Sequence, residues 1–364
     1  MRRADVVVLG GGLAGLTTAL ACSDRGLRVV IVANAHAGAA SPASAGVLGP
    51  SIGRGPKGGR VGRFMFAARD RYPGFLAGLH ERTPLRVPVL SGAIEVALND
   101  VHFDELRRRG PTMVDTRILD PLEVARLEPA LRPVAGALHH SKDGAVDPAA
   151  LLVAMTAAID AEPRITIVKA QALSIAATPS SLPSVTLSDG STHDAPHVVV
   201  ATGAWAGALG GLPRALPVRP VKGEMALAHF SGGMRHVTFG AGGYLLPRGD
   251  GLLIGATSHD AAFDSSFTNA GLEELGVTAK ALLSQWPPTG TPFSARYAGL
   301  RPMTPDGYPI LGQEPTAPEI VYACGYSRNG VLIAPLAADC LAALIVGEPP
   351  GFDLSAFAAT RFGG

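Results

Sequence analysis

The sequence predicts an α/β protein in which a parallel-sheet nucleotide-binding unit is interleaved with a second, β-rich (α+β) layer. Three observations lead there. Residues 4–33 read as strand, helix, strand around a glycine turn. Buried β-branched runs of the same kind return far downstream, at 198–201 and 320–323, and between them lie short alternating strands punctuated by glycine. A chain of 364 residues is also long for one compact domain and comfortable for two.

The elements follow in order. Asp5 to Leu9 is an apolar strand buried on both faces, Leu13 to Arg25 a helix that Gly26 ends, and Arg28 to Val32 a second strand, the length expected for parallel pairing. From Ala35 to Gly62 small residues dominate. That stretch reads as a solvated loop, or as a basic funnel for an anion through Arg54, Lys57, Arg60 and Arg63. Gly92 to Leu98 alternates as an antiparallel strand, with short helices at 101–109 and 122–127. Asp147-Pro148 reads as an N-cap followed by proline at the first helical position, opening a helix to about Ala161. Strands at 165–168, 185–187 and 198–201 return the chain to the first sheet. Residues 217–258 give alternating strands, 272–286 a helix, and 320–323 a last strand before an apolar closing helix.

Lysine and arginine number 31 against 30 acidic residues, a net charge of +1, which gives no reason to expect nucleic acid or an anionic membrane as partner. The partner is expected to be small. Glycine (45) and proline (30) are abundant and aromatic content is 5%, which fits many tight turns better than a helical bundle. Cys22, Cys324 and Cys340 have no paired spacing, so neither a zinc site nor a disulfide framework is expected, and a cytoplasmic setting is. The N-terminal apolar run is broken by three glycines, unlike a signal helix, and the C-terminal one holds Pro335 and Asp339, so no membrane span is expected.

Gly10, Gly12 and Gly15 keep the G-x-G-x-x-G spacing of a dinucleotide turn. The first allows the tight turn, the second lets backbone approach a diphosphate, and the third lets helix and strand pack closely. The acid that should hold the adenosine ribose about 20 residues on is missing. Ala33 and Asn34 stand there, and Asn34 offers an amide oxygen in place of a carboxylate. No lysine or arginine follows closely in sequence to argue for a 2′-phosphate. His139, His140, His236 and His259 have no metal-ligand spacing and read as strand or surface histidines, so no metal is expected.

The segments VVVLGGGLAGLTTALA, SPASAGVLG, DGAVDPAALLVAM, HVVVATGAWAG, VRPVKGE, YLLPRGDGLLIGATS, GLRPMTPDGYPILG and YACGYSRNGVLIAPLAA occur in the order seen in FAD-dependent D-amino acid oxidase-like enzymes. The chain resembles that family over nearly its whole length, with the glycine oxidase branch the nearest look-alike. The resemblance implies a discontinuous Rossmann-like FAD-binding domain (1–85, 146–216 and 296–364) and a substrate-binding domain (86–145 and 217–295). It implies noncovalent FAD, since RPMTPD contains no cysteine for a covalent link.

Carried over by position, the resemblance sets Leu13 and Ala14 at the diphosphate and Ala33 and Asn34 at the ribose. Ser41, Ala45, Gly46 and Val47 fall at the phosphate and flavin, and Leu173 at adenine through its backbone. Gly203 and Trp205 belong to a loop closing over the cofactor. Tyr326, Ser327, Arg328, Asn329, Gly330, Val331 and Leu332 wrap the pyrimidine side of the flavin. Arg301 would hold a substrate carboxylate, with Tyr244 and Arg328 completing the anion site. Read without the motif, these three are a salt-bridge arginine, a half-buried aromatic and a loop residue.

The implied reaction is oxidation of a small carboxylate-bearing amine (glycine-like, N-substituted glycine or D-amino acid) to an imine and then a 2-oxo acid. Oxygen would be the acceptor and hydrogen peroxide the product. Two alternatives stay open at this point: a flavin dehydrogenase for an amino or 2-hydroxy acid with another acceptor, and a flavin-fold binding protein whose cofactor site Ala33 has weakened. The family resemblance also allows a homo-oligomer, although no segment specifies an interface.

Overall fold

The computed structural model describes residues 3–53, 58–178, 181–230, 232–286 and 293–363. Two sheets organise them. The first has six strands in the order Ile310–Glu314, Ala317–Cys324, His197–Val200, Val6–Leu9, Val29–Ala33, Ile165–Lys169. All neighbours are parallel except the antiparallel edge strand Ile310–Glu314. Val6–Leu9 is buried at every position, because helices cover one face and a small sheet the other. Such a strand has no polar side to show, hence its continuous apolar run.

The helical face is packed by Leu13–Asp24, Gly59–Arg82, Pro148–Asp160 and Gly330–Ile345. The helix Gly59–Arg82 replaces the loop expected up to Gly62. It starts at glycine with no side-chain cap and carries Pro73 inside, two features that read as breaks in sequence. Its apolar spacing, Phe64, Met65, Ala68, Tyr72 and Leu79, nevertheless lays one face on the core. Arg60 and Arg63 lie on its exposed side and do not line the large cavity, Arg60 being paired with Asp353 at 2.7 Å; Arg54 and Lys57 lie outside the described residues. The apolar C-terminal stretch is the buried helix Gly330–Ile345, and no helix among the described residues is long and apolar enough to cross a membrane.

The opposite face carries a three-stranded antiparallel sheet of Ala172–Thr178, Ser181–Leu187 and Thr192–Asp194. The strand read at 185–187 therefore belongs to this separate layer, not to the main sheet. Its alternating pattern, with Val185 and Leu187 buried and Thr186 half-buried, fits a one-sided sheet.

The second large sheet has nine strands. Phe293–Met303, Arg219–His229, Gly251–Gly255, Gly243–Arg248, Val237–Gly240, Val89–Ala97, Gly136–Val146 and Val47–Leu48 follow in order, with Thr116–Leu119 also on Gly136–Val146. Helices Asn269–Leu282 and Pro121–Leu127 cover one face. On the other, Met225, Leu246 and Leu253 pack with Ala45, Val47 and Tyr244 beside the cavity described next.

Candidate active site

A cavity of about 1230 Å3 runs from the glycine turn to the second sheet. That exceeds the roughly 300–1,000 Å3 of ordinary small-molecule pockets, leaving room for a dinucleotide and a small second ligand. Its charged lining residues are Lys169, Arg301 and Arg328, and no aspartate or glutamate lines it among the described residues. The wall is a one-sign field suited to a diphosphate and a carboxylate.

The glycine turn shows why small residues are needed. A Cβ on Gly10 would stand 2.3 Å from the Ala201 carbonyl oxygen, and one on Gly15 1.9 Å from that of Gly10. Gly15 is thus a packing residue behind the turn, not part of the cavity wall, whereas Gly10, Gly12, Leu13 and Ala14 line it. The first intrahelical bond is Leu16 N–H to the Gly12 carbonyl, so the N–H groups of the preceding turn face outward at the positive end of the helix dipole. Ser41 Oγ accepts one of them, from Leu13, at 3.0 Å. Ser41, Ala45, Gly46 and Val47 line the adjoining wall.

Ala33 and Asn34 also line the cavity, at the end of Val29–Ala33. Beside Ala33 across the parallel ladder stands Lys169, which the sequence could not reveal because only strand register brings the two together. Leu173, expected at adenine through its backbone, is 46% exposed and does not line the cavity wall, and its carbonyl accepts from Gly210 N–H at 3.0 Å; Lys169, Ala170, Gln171 and Ala172 line that end. Gly203 and Trp205 stand in the wall, the Trp205 ring stacked on His36 at 4.5 Å and on Phe263 at 5.7 Å.

At the other end, Arg301 projects from Phe293–Met303, and its Nη1 donates to the carbonyls of Thr257 (3.0 Å) and Lys222 (3.4 Å). No carboxylate partners it among the described residues. Burial pulls its pKa down, the opposing pull of Tyr244 notwithstanding, and Arg328 adds like charge. A guanidinium nonetheless keeps its proton in a protein, so this is a half-buried cation without a counter-ion among the described residues.

The side chain lies across Gly223, where a Cβ would stand 2.1 Å from Nη2. Tyr244 lies across Gly255 in the same way, with a would-be Cβ 2.3 Å from its ring. The glycines of VKGE and IGAT are therefore the floor on which these two side chains rest, a role the motifs alone did not disclose. Tyr244 donates to Met225 Sδ at 2.8 Å, and burial pushes its hydroxyl up to about 12 against the pull of Arg301, Arg248 and Arg328. Thr257, whose carbonyl holds Arg301, is itself fixed by the buried Glu224, since Thr257 Oγ1 accepts from Glu224 N–H at 3.0 Å.

Tyr326, Ser327, Arg328, Asn329, Gly330 and Val331 line the cavity between these ends, while the Leu332 side chain is buried in the helical core. Arg328 is exposed, and its Nη2 donates to Ser258 Oγ at 3.2 Å. Since Thr257 and Ser258 are neighbours, the two arginines stand side by side. Cys324 also lines the wall, but burial pushes its thiol up to about 12, leaving it protonated. The four histidines singled out in the sequence lie elsewhere: His236 is bound to the buried Glu128 at 2.6 Å, His139 meets His236 edge-on, His140 bonds Thr116, and His259 pairs with Glu274. No group of three or more potential metal ligands occurs among the described residues.

The residues fit FAD. Two helix starts and a glycine cradle open on one acid-free cavity, and its far end holds an unpaired arginine. Comparison with known proteins agrees. Glycine oxidase of Geobacillus kaustophilus (strain HTA426) is 31% identical over 377 residues, covering 99% of this chain and 97% of the relative. The crystal structure of glycine oxidase from Geobacillus kaustophilus matches at a TM-score of 0.90 and 30% identity, covering 100% of both chains. Iminodiacetate oxidase from Chelativorans sp. BNC1 matches at 0.85 and 25%, covering 97% of this chain and 98% of that one. Residues 5–344 match the family described as FAD dependent oxidoreductase (DAO), and the chain belongs to that family.

Proposed function

We propose that this FAD-dependent enzyme oxidises a small amine bearing a carboxylate (glycine, an N-substituted glycine or a D-amino acid) to an imine that water converts to a 2-oxo acid with release of ammonia or an amine, with oxygen as acceptor and hydrogen peroxide as product. The observation that carries this reading is Arg301: a half-buried guanidinium, held by two backbone carbonyls and with no acid as partner among the described residues, at the end of the cavity opposite the dinucleotide turn. Such a cation is costly unless an anionic ligand completes it. The relatives named for glycine and for iminodiacetate, an N-substituted glycine, are consistent with that ligand class.

Each residue has a part in this scheme. Arg301 receives the carboxylate through its planar fork, which fixes the orientation of the α-carbon. Tyr244, a neutral phenol at working pH, turns its O–H from Met225 to the same carboxylate. Arg328, tied to Ser258 at the rim, adds positive charge that draws the substrate inward. Leu13, Ala14 and Ser41 hold the diphosphate, Asn34 and Lys169 the ribose end, and Tyr326 to Val331 the ring system, with no covalent bond. When bound, FAD supplies a two-electron acceptor for hydride from the α-carbon. No side-chain base is required, and none of the four histidines lines the cavity. The division into an FAD-binding part (1–85, 146–216 and 296–364) and a substrate-binding part (86–145 and 217–295) belongs to the same proposal.

The test is a substrate panel of glycine, N-methylglycine, iminodiacetate and D-alanine, with methylamine and glycine methyl ester as carboxylate-free controls. Anaerobic bleaching of the flavin band reports reduction, and peroxide release under air reports the acceptor. Bleaching by the acids alone is expected. Equal bleaching by the controls would remove the carboxylate from the proposal, and bleaching without peroxide would assign a different acceptor.

A further inference from the structure

The closing helix Gly330–Ile345 contains Pro335, which has no N–H to donate to the carbonyl four residues earlier, that of Val331. That carbonyl sits in the first helical turn, within the buried core, where an unpaired acceptor is costly. It is not unpaired. Tyr72, 3% exposed on the long helix Gly59–Arg82, donates its hydroxyl to it at 2.5 Å. A side chain 259 residues away in sequence thus supplies the bond that the proline removes.

The bond has a consequence beyond helix stability. The Val331 carbonyl belongs to the same peptide group as the Leu332 N–H, and in a helix that N–H points toward the N-terminal end, whose residues Asn329, Gly330 and Val331 line the cavity. The first intrahelical bond runs from Ile333 N–H to the Asn329 carbonyl, so the N–H groups of Gly330, Val331 and Leu332 have no partner within the helix. Asn329 adds no side-chain cap. This helix start opens on the cavity beside Arg328, which Ser258 ties next to the Thr257 that holds Arg301. It therefore faces the end where the substrate is oxidised and the flavin gains negative charge. A donor on a peptide carbonyl polarises that peptide and strengthens its N–H as a donor in turn.

We propose that Tyr72 is a positioning residue: by bonding the carbonyl orphaned by Pro335, it orients and polarises the first turn of the closing helix, and so favours the reduced, negatively charged flavin. It touches neither substrate nor cofactor. Burial pushes its hydroxyl well above the usual tyrosine range, so it remains a proton donor at every working pH. A second link between the same helices, Arg71 to Asp339 at 2.7 Å, lies further along the closing helix and away from the cavity, and serves as an internal control.

The inference rests on the FAD assignment but not on the substrate reading, so its test uses no substrate. The reduction potential of the purified holoprotein is measured by dye equilibration, and FAD affinity of the apoprotein by fluorescence quenching. Tyr72→Phe should shift the ratio of reduced to oxidised flavin roughly two- to tenfold toward the oxidised form, a potential lower by about 10–30 mV. Adding Pro335→Ala, which returns an N–H to position 335, should restore the wild-type potential. Arg71→Gln should leave the potential unchanged while lowering the melting temperature. An unchanged potential in Tyr72→Phe, or a lowered one that Pro335→Ala does not restore, overturns the proposal. Should Tyr72→Phe fail to fold, the double variant, whose helix closes its own bond, still decides: a potential well below wild type overturns it.

Discussion

At the glycine-turn end the cavity wall is backbone and small or exposed side chains: Gly10, Gly12, Ala33, Asn34 and Lys169. At the opposite end Arg301 and Tyr244 lie pressed across Gly223 and Gly255, with would-be Cβ positions 2.1 and 2.3 Å from them. In the proposed scheme the first end binds through N–H groups that many sequences can supply, and the second through particular side chains over particular glycines. Substitutions should therefore be tolerated at the ribose and punished at the arginine.

The harshest test of that contrast is Arg301→Met. Removing this half-buried cation, which has no carboxylate partner among the described residues, should lower kcat/KM for a carboxylate substrate on the order of a hundredfold to several thousandfold. Flavin content should stay at wild type, and the melting temperature should hold or rise, since a desolvated charge has been removed. A loss below about fivefold would take the carboxylate away from Arg301.

Gly223→Ala comes next. The obstructing atoms are the tip of a flexible arginine, not backbone, so the protein should fold with a melting temperature within a few degrees of wild type. The guanidinium must nonetheless leave its place between the Thr257 and Lys222 carbonyls. A loss of roughly ten- to a hundredfold in kcat/KM is expected, mostly in KM. Wild-type kinetics would show that the arginine has room to spare and that the contrast between the two ends is false.

Legibility in the sequence follows the same divide. The parallel sheet, its glycine turn and the capped helix Pro148–Asp160 could be read because each rests on local signals: a buried β-branched run, a turn that only glycine permits, a side-chain cap from Asp147. The long helix Gly59–Arg82 was hidden because its start and its Pro73 look like breaks, and tertiary packing of Tyr72 and Leu79 overrides them. Lys169 beside Ala33 was hidden because parallel register joins residues far apart in the chain. Arg301 and Tyr244 were singled out through motif resemblance, but the reason for Gly223 and Gly255 beneath them lay only in three dimensions.

The ribose end should respond less. Ala33→Glu restores the acid usual at that strand end, and it gains both a ribose hydroxyl and the neighbouring Lys169 as partners. FAD affinity of the apoprotein should rise about tenfold, the worth of one charge-assisted bond at a partly exposed site. Lys169→Met should lower it by no more than about fivefold, with a weaker dependence on salt. A collapse of flavin binding in either variant would make this end as exacting as the other.

Tyr244→Phe sets the lower limit at the arginine end. Its hydroxyl has Met225 Sδ as partner at 2.8 Å, a weak acceptor, so its loss strands little. One neutral donor to a carboxylate that Arg301 already holds should be worth roughly two- to tenfold in kcat/KM. The pH profile sharpens this. Burial raises the hydroxyl from 10 to about 12, so between those values the folded protein keeps a proton that the unfolded chain has lost. Its contribution to stability is complete below pH 10 and fades as pH climbs toward about 12. Wild-type kcat/KM should accordingly show no phenol step near pH 10, and the ratio of wild type to Tyr244→Phe should stay constant through that region. A ratio that falls to one around pH 10 would mean that the tyrosine ionises there, as a solvent-facing residue does, and that this end of the cavity is no more tightly built than the other.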